Sequence, residues 1–503
     1  MKFRIALCML AVLLLLPLVS SCTTTSNANS TEEASSNAEG TTTRPVITQE
    51  EEIVPELPDI QFGATVNIFL RKDSYIKEWD LEENESGTVA LLDDALFERN
   101  SYLEETYDVT FAYTNVRRDE CVEQVRQQIT AGQNVFEYAC IGLNELTILS
   151  QEGLLQDVSE LAYTDYSKPW WYYETMQEFA RPNGEIYYAL GYSNINMAWN
   201  SYLVFFNQDE FAKNFQDVDL FEVVRNGEWT LSKMLEMAKA AYRDVGGDGD
   251  ASNDFYGILS QGGSWYGIMA GGGIQLVSKN SDGFYQSNLL DPMIYDHLSQ
   301  ILNFMGDFEI CMRDGDRIGL AGTFAQGSGL FFPSAACGAV FLTQMEDLFG
   351  VVPSPFHDAM QLDKSRPATE QYYTHSHYGH TNALAIFVNT PVESLDMVSI
   401  LWEAANYASI DTVSTAIVES VLQGRLVQEA DSAEMMEIIL SNIHLDPIFL
   451  LKDSTCDFDT VYRKLIRKIG EDGTATGLPI LSELEQLNSA LSQYLDQNIN
   501  VVA

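Results

Sequence analysis

Residues 167–207 read SKPWWYYETMQEFARPNGEIYYALGYSNINMAWNSYLVFFN, and the path of this stretch decides the architecture around it. A Pro-Asn-Gly turn at 182–184 precedes Ile186–Tyr192, a β-prone run rich in Tyr. A second such run, Leu203–Asn207, follows a polar interval that holds Gly191, Ser193, Asn194 and Asn196. Locally this fits an ordinary hairpin as well as a passage from one compact unit into another. The organisation on either side favours the passage.

Upstream, Val66–Leu70 reads as a strand, and Val89, Leu92, Leu96, Leu103 and Tyr107 recur at helical spacing. Val109–Tyr113 alternates as a strand does. A helix from about Asp119 to Thr130 puts Val122, Val125 and Ile129 on one face, and Tyr138–Ile141 is a third strand. Strands alternating with helices predict an α/β fold with a largely parallel sheet, and such sheets bind ligands beyond the carboxyl ends of their strands. Asn144 and Glu145 stand at such an end. Downstream, Thr230 is placed to cap a helix whose apolar face is Leu231, Met234, Leu235 and Ala238. Residues 244–254 form a Gly- and Asp-rich loop, 262–273 are glycine-rich and irregular, and 382–389 look like a further strand. Helical periodicity dominates from Glu393 onward.

The first residues have a different logic. Lys2 and Arg4 precede an apolar run from Ile5 to Leu18, and Val19-Ser20-Ser21-Cys22 follows. This is the pattern of a secretory signal, residues 1–21, and the Val-Ser-Ser-Cys ending resembles the lipobox of bacterial lipoproteins, which makes Cys22 the expected lipidation site. Residues 22–60 are Ser, Thr, Asn and Glu with few large apolar side chains, a composition that cannot offset its ordering entropy and reads as a disordered tether. The expected location is extracytoplasmic, held to the membrane by lipid alone. Across 503 residues, 73 Asp and Glu against 28 Lys and Arg give a formal charge of −45. Nucleic acid and anionic lipid need a positive footprint and are excluded as partners. Beyond Cys22 the cysteines are Cys121, Cys140, Cys311, Cys337 and Cys456, an odd and scattered set that reads as buried thiols rather than a disulfide framework.

Taken in order, these signals resemble the extracellular solute-binding proteins of ABC importers, in their large carbohydrate-associated family. The resemblance is carried by Phe97-Glu98-Arg99-Asn100, Leu103–Tyr107, Gly153–Val158, the Tyr166–Trp171 run, Gly227-Glu228-Trp229-Thr230 and Asn382–Ile386. It implies a periplasmic-binding-protein-like fold of two α/β lobes with a ligand cleft between them and several hinge crossings. Mapped onto this chain, the first lobe would be 61–190 and 325–380, the second 191–324 and 381–503. The implied function is capture of a small-molecule solute, a sugar or oligosaccharide, for delivery to a membrane permease by a monomeric, non-catalytic protein. The competing class is a cell-surface glycan-active hydrolase or an adhesion lipoprotein. No Gly-x-Ser-x-Gly elbow, Walker loop or His-Glu-x-x-His is present, and among so many carboxylates no pair stands out as a glycosidase's.

Sugars present apolar C–H faces and many hydroxyls, so their sites join aromatic platforms to polar side chains. Asn144, Tyr192, Trp265, Tyr266, Phe331 and Tyr378 are the candidates of this kind in predicted connections near the cleft. His375-x-His377-x-x-His380 has metal-like spacing but reads as hydrogen-bonded histidines. In the 244–254 loop, Asp244, Asp248, Asp250 and Asp254 surround Gly249 as calcium ligands would. Gly246 offers no side-chain ligand, however, and Phe255 stands where an EF-hand has its bidentate Glu. The loop reads equally as a structural calcium site or as a solvated acidic turn, and no cofactor is otherwise required.

Overall fold

The computed structural model describes residues 53–74, 76–81, 90–247, 253–260, 262–307, 311–312, 317–377, 379–423, 430–449, 458–472 and 475–500. The signal segment with Cys22, nearly all of the tether, and Cys456 lie outside them. Residues from Val54 onward form one compact unit.

The described strands are β1 (Ala64–Arg71), β2 (Val109–Val116), β3 (Tyr138–Gly142), β4 (Tyr202–Asn207), β5 (Tyr256–Leu259), β6 (Val277–Lys279), β7 (Tyr285–Ser287), β8 (Cys311–Met312), β9 (Gly329–Ala335), β10 (Phe349–Pro353), β11 (Thr374–His375), β12 (Asn382–Ala385) and β13 (Ile443–His444). They make two main sheets, ordered β12-β3-β1-β2 and β10-β4-β9-β5-β8, with the pairs β11-β13 and β6-β7 beside them. In the first sheet β1 runs parallel to β2 and β3, as the alternation of strands and helices predicts, and β12 closes the edge antiparallel to β3. The helix α1 (Ala90–Tyr107) links β1 to β2. It buries Leu92, Leu96, Leu103 and Tyr107, whose spacing lays one stripe along the sheet. Each such side chain, fully buried, contributes about 1.5–3 kcal/mol. The helix α2 (Arg118–Thr130) then leads to β3, which continues directly into α3 (Leu143–Gln151). Further on, Thr230 caps the helix Leu231–Ala241 by accepting from the Lys233 N–H. Cys121, Cys140, Cys311 and Cys337 are free and buried.

The opening stretch is a passage, not a hairpin. Its first half never becomes a ladder strand: Trp171 bridges Gly191 and Ala189 bridges Leu384 of β12, so this part stays with the first sheet. The helix α4 (Tyr173–Phe179) lies within it, and the short helix α5 (Ile195–Trp199) carries the chain onward to β4 in the second sheet. A return passage runs beside it, where Ser376 bridges Ser201 and donates its hydroxyl to Met197 O before β12 rejoins the first sheet.

The expected lobe assignment needs correction. β9 and β10 pair with β4 and β5, so 329–353 belongs to the second sheet, and the described residues show no crossing near 325. Conversely, β12 pairs with β3, and the helices Leu395–Ala408 and Thr415–Val421 pack on α1, so this part of 381–503 belongs to the first. Hydrophobic periodicity marks a strand but not its partner, and these partners lie far apart in the chain.

Candidate functional site

β1, β2 and β3 run parallel and so deliver their carboxyl ends to one edge of the first sheet. Four charged side chains meet there. Arg71, the last residue of β1, is almost fully buried; its Nη1 and Nη2 donate to Gly379 O, each at 3.2 Å. Its guanidinium faces Glu145 Oε2 at 3.9 Å and Asp73 Oδ1 at 3.7 Å. Arg118, two residues past the end of β2, donates its Nε to Glu145 Oε1 at 3.2 Å. Glu145 itself stands in the first turn of α3, where its charge also suits the helix N-terminus. Gly142 makes the cluster possible. A Cβ there would lie 2.0 Å from Glu145 Oε2 and 2.6 Å from Arg71 Nη1, so any other residue would push the pair out of its seat.

Two buried polar atoms of this cluster, Arg71 Nε and Glu145 Oε2, have no hydrogen-bond partner. Buried polar atoms left unsatisfied are uncommon, and each asks for an explanation. One is a donor and one an acceptor, and the surrounding charge is close to balanced. Such a pair suits hydroxyl groups, which give and accept together, better than it suits an ion.

The cluster is held by a second, purely structural network. Arg99 of α1 is wholly buried and stacks over Trp79 at 4.5 Å. It donates to Ser193 O, to Asn100 Oδ1 and to Glu78 O. Burial pushes its pKa down from the usual arginine value, although the nearby Glu78 opposes this. Glu78 Oε1 accepts from Asn196 N at 2.9 Å, and its Oε2 accepts from Asn382 Nδ2 at 2.9 Å. Asn196 closes a reciprocal pair with the backbone of Ile76. The loop after β1 is thereby tied to both passages between the sheets. The Arg99-Asn100 pair that marked the resemblance is therefore a clamp, not a ligand contact.

From the second sheet, Tyr202 at the start of β4 stacks on His375 with ring centroids 6.1 Å apart and planes 3° from parallel. Burial pushes His375 down to about 3 and keeps it neutral. His377 Nδ1 accepts from Gly379 N at 3.2 Å, and the His377 and His380 rings lie 4.7 Å apart. Among the described residues no group of three His, Cys, Asp or Glu is disposed to hold a metal.

The sequence-derived candidates scatter. Asn144 is buried at the end of β3 beside Glu145, where it was expected. Tyr192 is half-buried against Tyr172, with ring centroids 5.4 Å apart, and lines a separate groove. Trp265 and Phe331 are corrected: both are 0% exposed. Trp265 packs on Phe304 within a helix, Gly262–Gly271, and Phe331 packs on Trp229 from the middle of β9. Neither ring is a platform. Tyr378 and the side chain of Tyr266 lie outside the described residues, as do Asp248 and Asp250. Of the other two loop aspartates, Asp244 accepts from Gly247 N, while Asp254 accepts from the Tyr242 hydroxyl and Val245 N, so both serve the turn itself. Arg71 and Arg118 were missed. The only available signal was a basic residue at, or just past, the carboxyl end of a predicted strand.

The fold, with two α/β sheets joined by crossing segments, is similar to that of periplasmic-binding-protein-like, two-lobe proteins. Among solved structures it is similar to the sugar-binding protein MalE from the phytopathogen Xanthomonas citri, at 13% identity and TM-score 0.56, covering 86% of this chain and 98% of that one. It is also similar to an ABC substrate-binding protein of Listeria monocytogenes in complex with cycloalternan, at 13% identity and TM-score 0.53, covering 86% and 99%. A third is the GacH receptor of Streptomyces glaucescens, determined unliganded and with acarbose, at 12% identity and TM-score 0.53, covering 87% and 100%. No family model matches the chain, and no curated protein matches it.

Proposed function

We propose that this protein is a non-catalytic receptor that captures an extracellular oligosaccharide and delivers it to the membrane permease of an ABC importer. The observation that carries the proposal is the Arg71–Glu145 pair at the strand ends, with one donor and one acceptor unused, in a fold shared over most of its length with sugar-binding proteins. The ligand class follows from that pairing. A hydroxyl-rich, uncharged solute satisfies both atoms at once, whereas an anion would face Glu145 and a cation would face Arg71.

A thermal-shift screen against neutral oligosaccharides identifies the solute, since a ligand that binds only the folded state raises the midpoint by mass action. Titration calorimetry then tests the site. Glu145→Ala removes a charge-assisted hydrogen bond of about 1.5–3 kcal/mol, so affinity should fall roughly 10- to 150-fold. Unchanged affinity would detach the site from these residues, and turnover of the bound glycan would replace the receptor reading with a hydrolase.

The anchoring reading rests on the leader and on Val19-Ser20-Ser21-Cys22. No helix among the described residues is long and apolar enough to cross a membrane. Intact mass of the membrane-extracted protein should therefore carry an acyl adduct that Cys22→Ala abolishes. A mature mass without lipid would end this part of the proposal.

A further inference from the structure

A groove of about 980 Å³ lies outside the strand-end cluster, and none of its lining residues comes from the carboxyl ends of β1, β2 or β3. Its volume is near the top of the roughly 300–1,000 Å³ that small-molecule sites span. One wall is the run from Tyr166 to Thr175 with Tyr192, the residues that open the passage between the sheets. The other is built from 366–373 and 434–444, which belong with the second sheet.

Ring faces dominate the first wall. Tyr166 and Tyr173 stack with planes 8° apart and centroids at 6.3 Å, which fixes Tyr173 although it is 41% exposed. Beside them Tyr172 and Tyr192 pack at 5.4 Å. Across the groove, His444 is stacked on Tyr373 at 4.1 Å, and its buried Nδ1 has no hydrogen-bond partner. Burial pushes His444 down to about 4, so the ring is neutral.

Charge narrows the occupant. Both cations on the lining are already engaged: Arg366 Nε lies 3.6 Å from Glu370, and Lys168 Nζ lies 3.6 Å from Asp165. Glu434 is taken up by Arg225, while Glu174 and Glu437 leave the groove with a negative balance. An anionic ligand would find no uncommitted partner here. An uncharged one with apolar C–H faces and hydroxyl edges finds tyrosine faces to stack on and a lone imidazole nitrogen to bond.

We propose that this groove is a second saccharide site, one that takes a neutral glycan chain independently of the strand-end cluster. Titration calorimetry with maltoheptaose tests it on the mature chain, on Tyr173→Ala and on Glu145→Ala. Tyr173→Ala changes an exposed ring, so the fold tolerates it, and Tyr173→Trp restores a platform. The groove requires a binding event that survives Glu145→Ala, weakens roughly tenfold in Tyr173→Ala and returns in Tyr173→Trp. Heat that disappears with Glu145→Ala and ignores Tyr173→Ala overturns the groove and leaves the receptor reading intact. Heat that follows Tyr173 alone, with Glu145→Ala inert, sustains the groove and counts against the strand-end site. No heat in any of the proteins overturns the groove as well.

Discussion

Trp265→Ala should destabilise the protein by about 3–5 kcal/mol, the usual cost of emptying a buried tryptophan site. Trp265 is 0% exposed and sits in the helix Gly262–Gly271, which packs on β4, β9, β11 and the helix Pro292–Met305. Its indole meets Phe304 with ring centroids 5.8 Å apart. Removing it leaves a cavity between a helix and the sheet that carries the second half of the fold, and close-packed interiors relax only partly around such a void. Urea unfolding at equilibrium measures the loss. Trp265→Phe should fall between wild type and alanine, because a smaller ring fills part of the space. A midpoint for Trp265→Ala within experimental error of wild type would place the ring outside the core. The expected pattern for a cleft platform is the reverse, with lost ligand affinity and an unchanged midpoint, so the two measurements separate the two roles.

The reason Trp265 reads as a cleft residue from sequence is instructive. Gly262, Gly263, Gly267 and Gly271 around it look like a loop, and glycine in a helix interior usually costs about 1 kcal/mol against alanine. Here the glycines let a buried helix approach its neighbours. A Cβ on Gly267 would lie 2.1 Å from the Tyr202 ring, and one on Gly271 would lie 2.5 Å from Ser354. Close packing overrides propensity, and nothing local announces it. Where structure is set by local periodicity, as in β1, α1, β2, α2 and β3, the reading holds to within three residues. Where it is set by pairing across long separations, as with β12 against β3 or β9 against β4, it does not. The Tyr166–Trp171 run was legible as a motif, but its role needed coordinates. The Nε1 groups of Trp170 and Trp171 both donate to Glu403, more than 230 residues away. The strand-end cluster was half legible for the same reason. Glu145 could be placed at the end of a strand, but Arg71 and Arg118 join it only because three separate strands end together.

Glu178→Gln should flatten the pH dependence of stability, and the difference between the two proteins should reach roughly 3–4 kcal/mol between pH 5 and pH 8. Glu178 is at the carboxyl end of α4, where the first half of the opening stretch meets β6 and the segment after β13. Its Oε1 accepts from Gln275 Nε2 at 2.8 Å, while Oε2 is buried without a partner. The facing groups are Asp446, Lys279, Glu174 and Tyr373. Burial, then Asp446, pushes Glu178 up from 4.5 to about 8, and burial pushes Asp446 up to about 7. Lys279 donates to Gln177 O and Ala180 O rather than to either carboxylate, and burial lowers it to about 8. The sign follows from which state holds the proton. Below about pH 4.5 the carboxyl is protonated folded and unfolded, so it makes no difference. Above that the unfolded chain releases the proton while the folded protein keeps it, and each pH unit removes about 1.36 kcal/mol until the pH passes about 8. Stability carried by Glu178 is therefore complete in acid and lost on the way to pH 8. Lys279 acts in another window, because a lysine lowered to about 8 affects stability only above that pH. The buried histidines at 297, 375 and 444 run the opposite way below about pH 6.5, but they are common to both proteins and cancel in the difference. Urea midpoints at half-unit steps from pH 5 to pH 8 make the comparison. Curves that stay parallel would mean that Glu178 is ionised in the folded protein throughout. In that case α4 would be joined to β6 by a charged contact with water at its side rather than by a dry, protonated one.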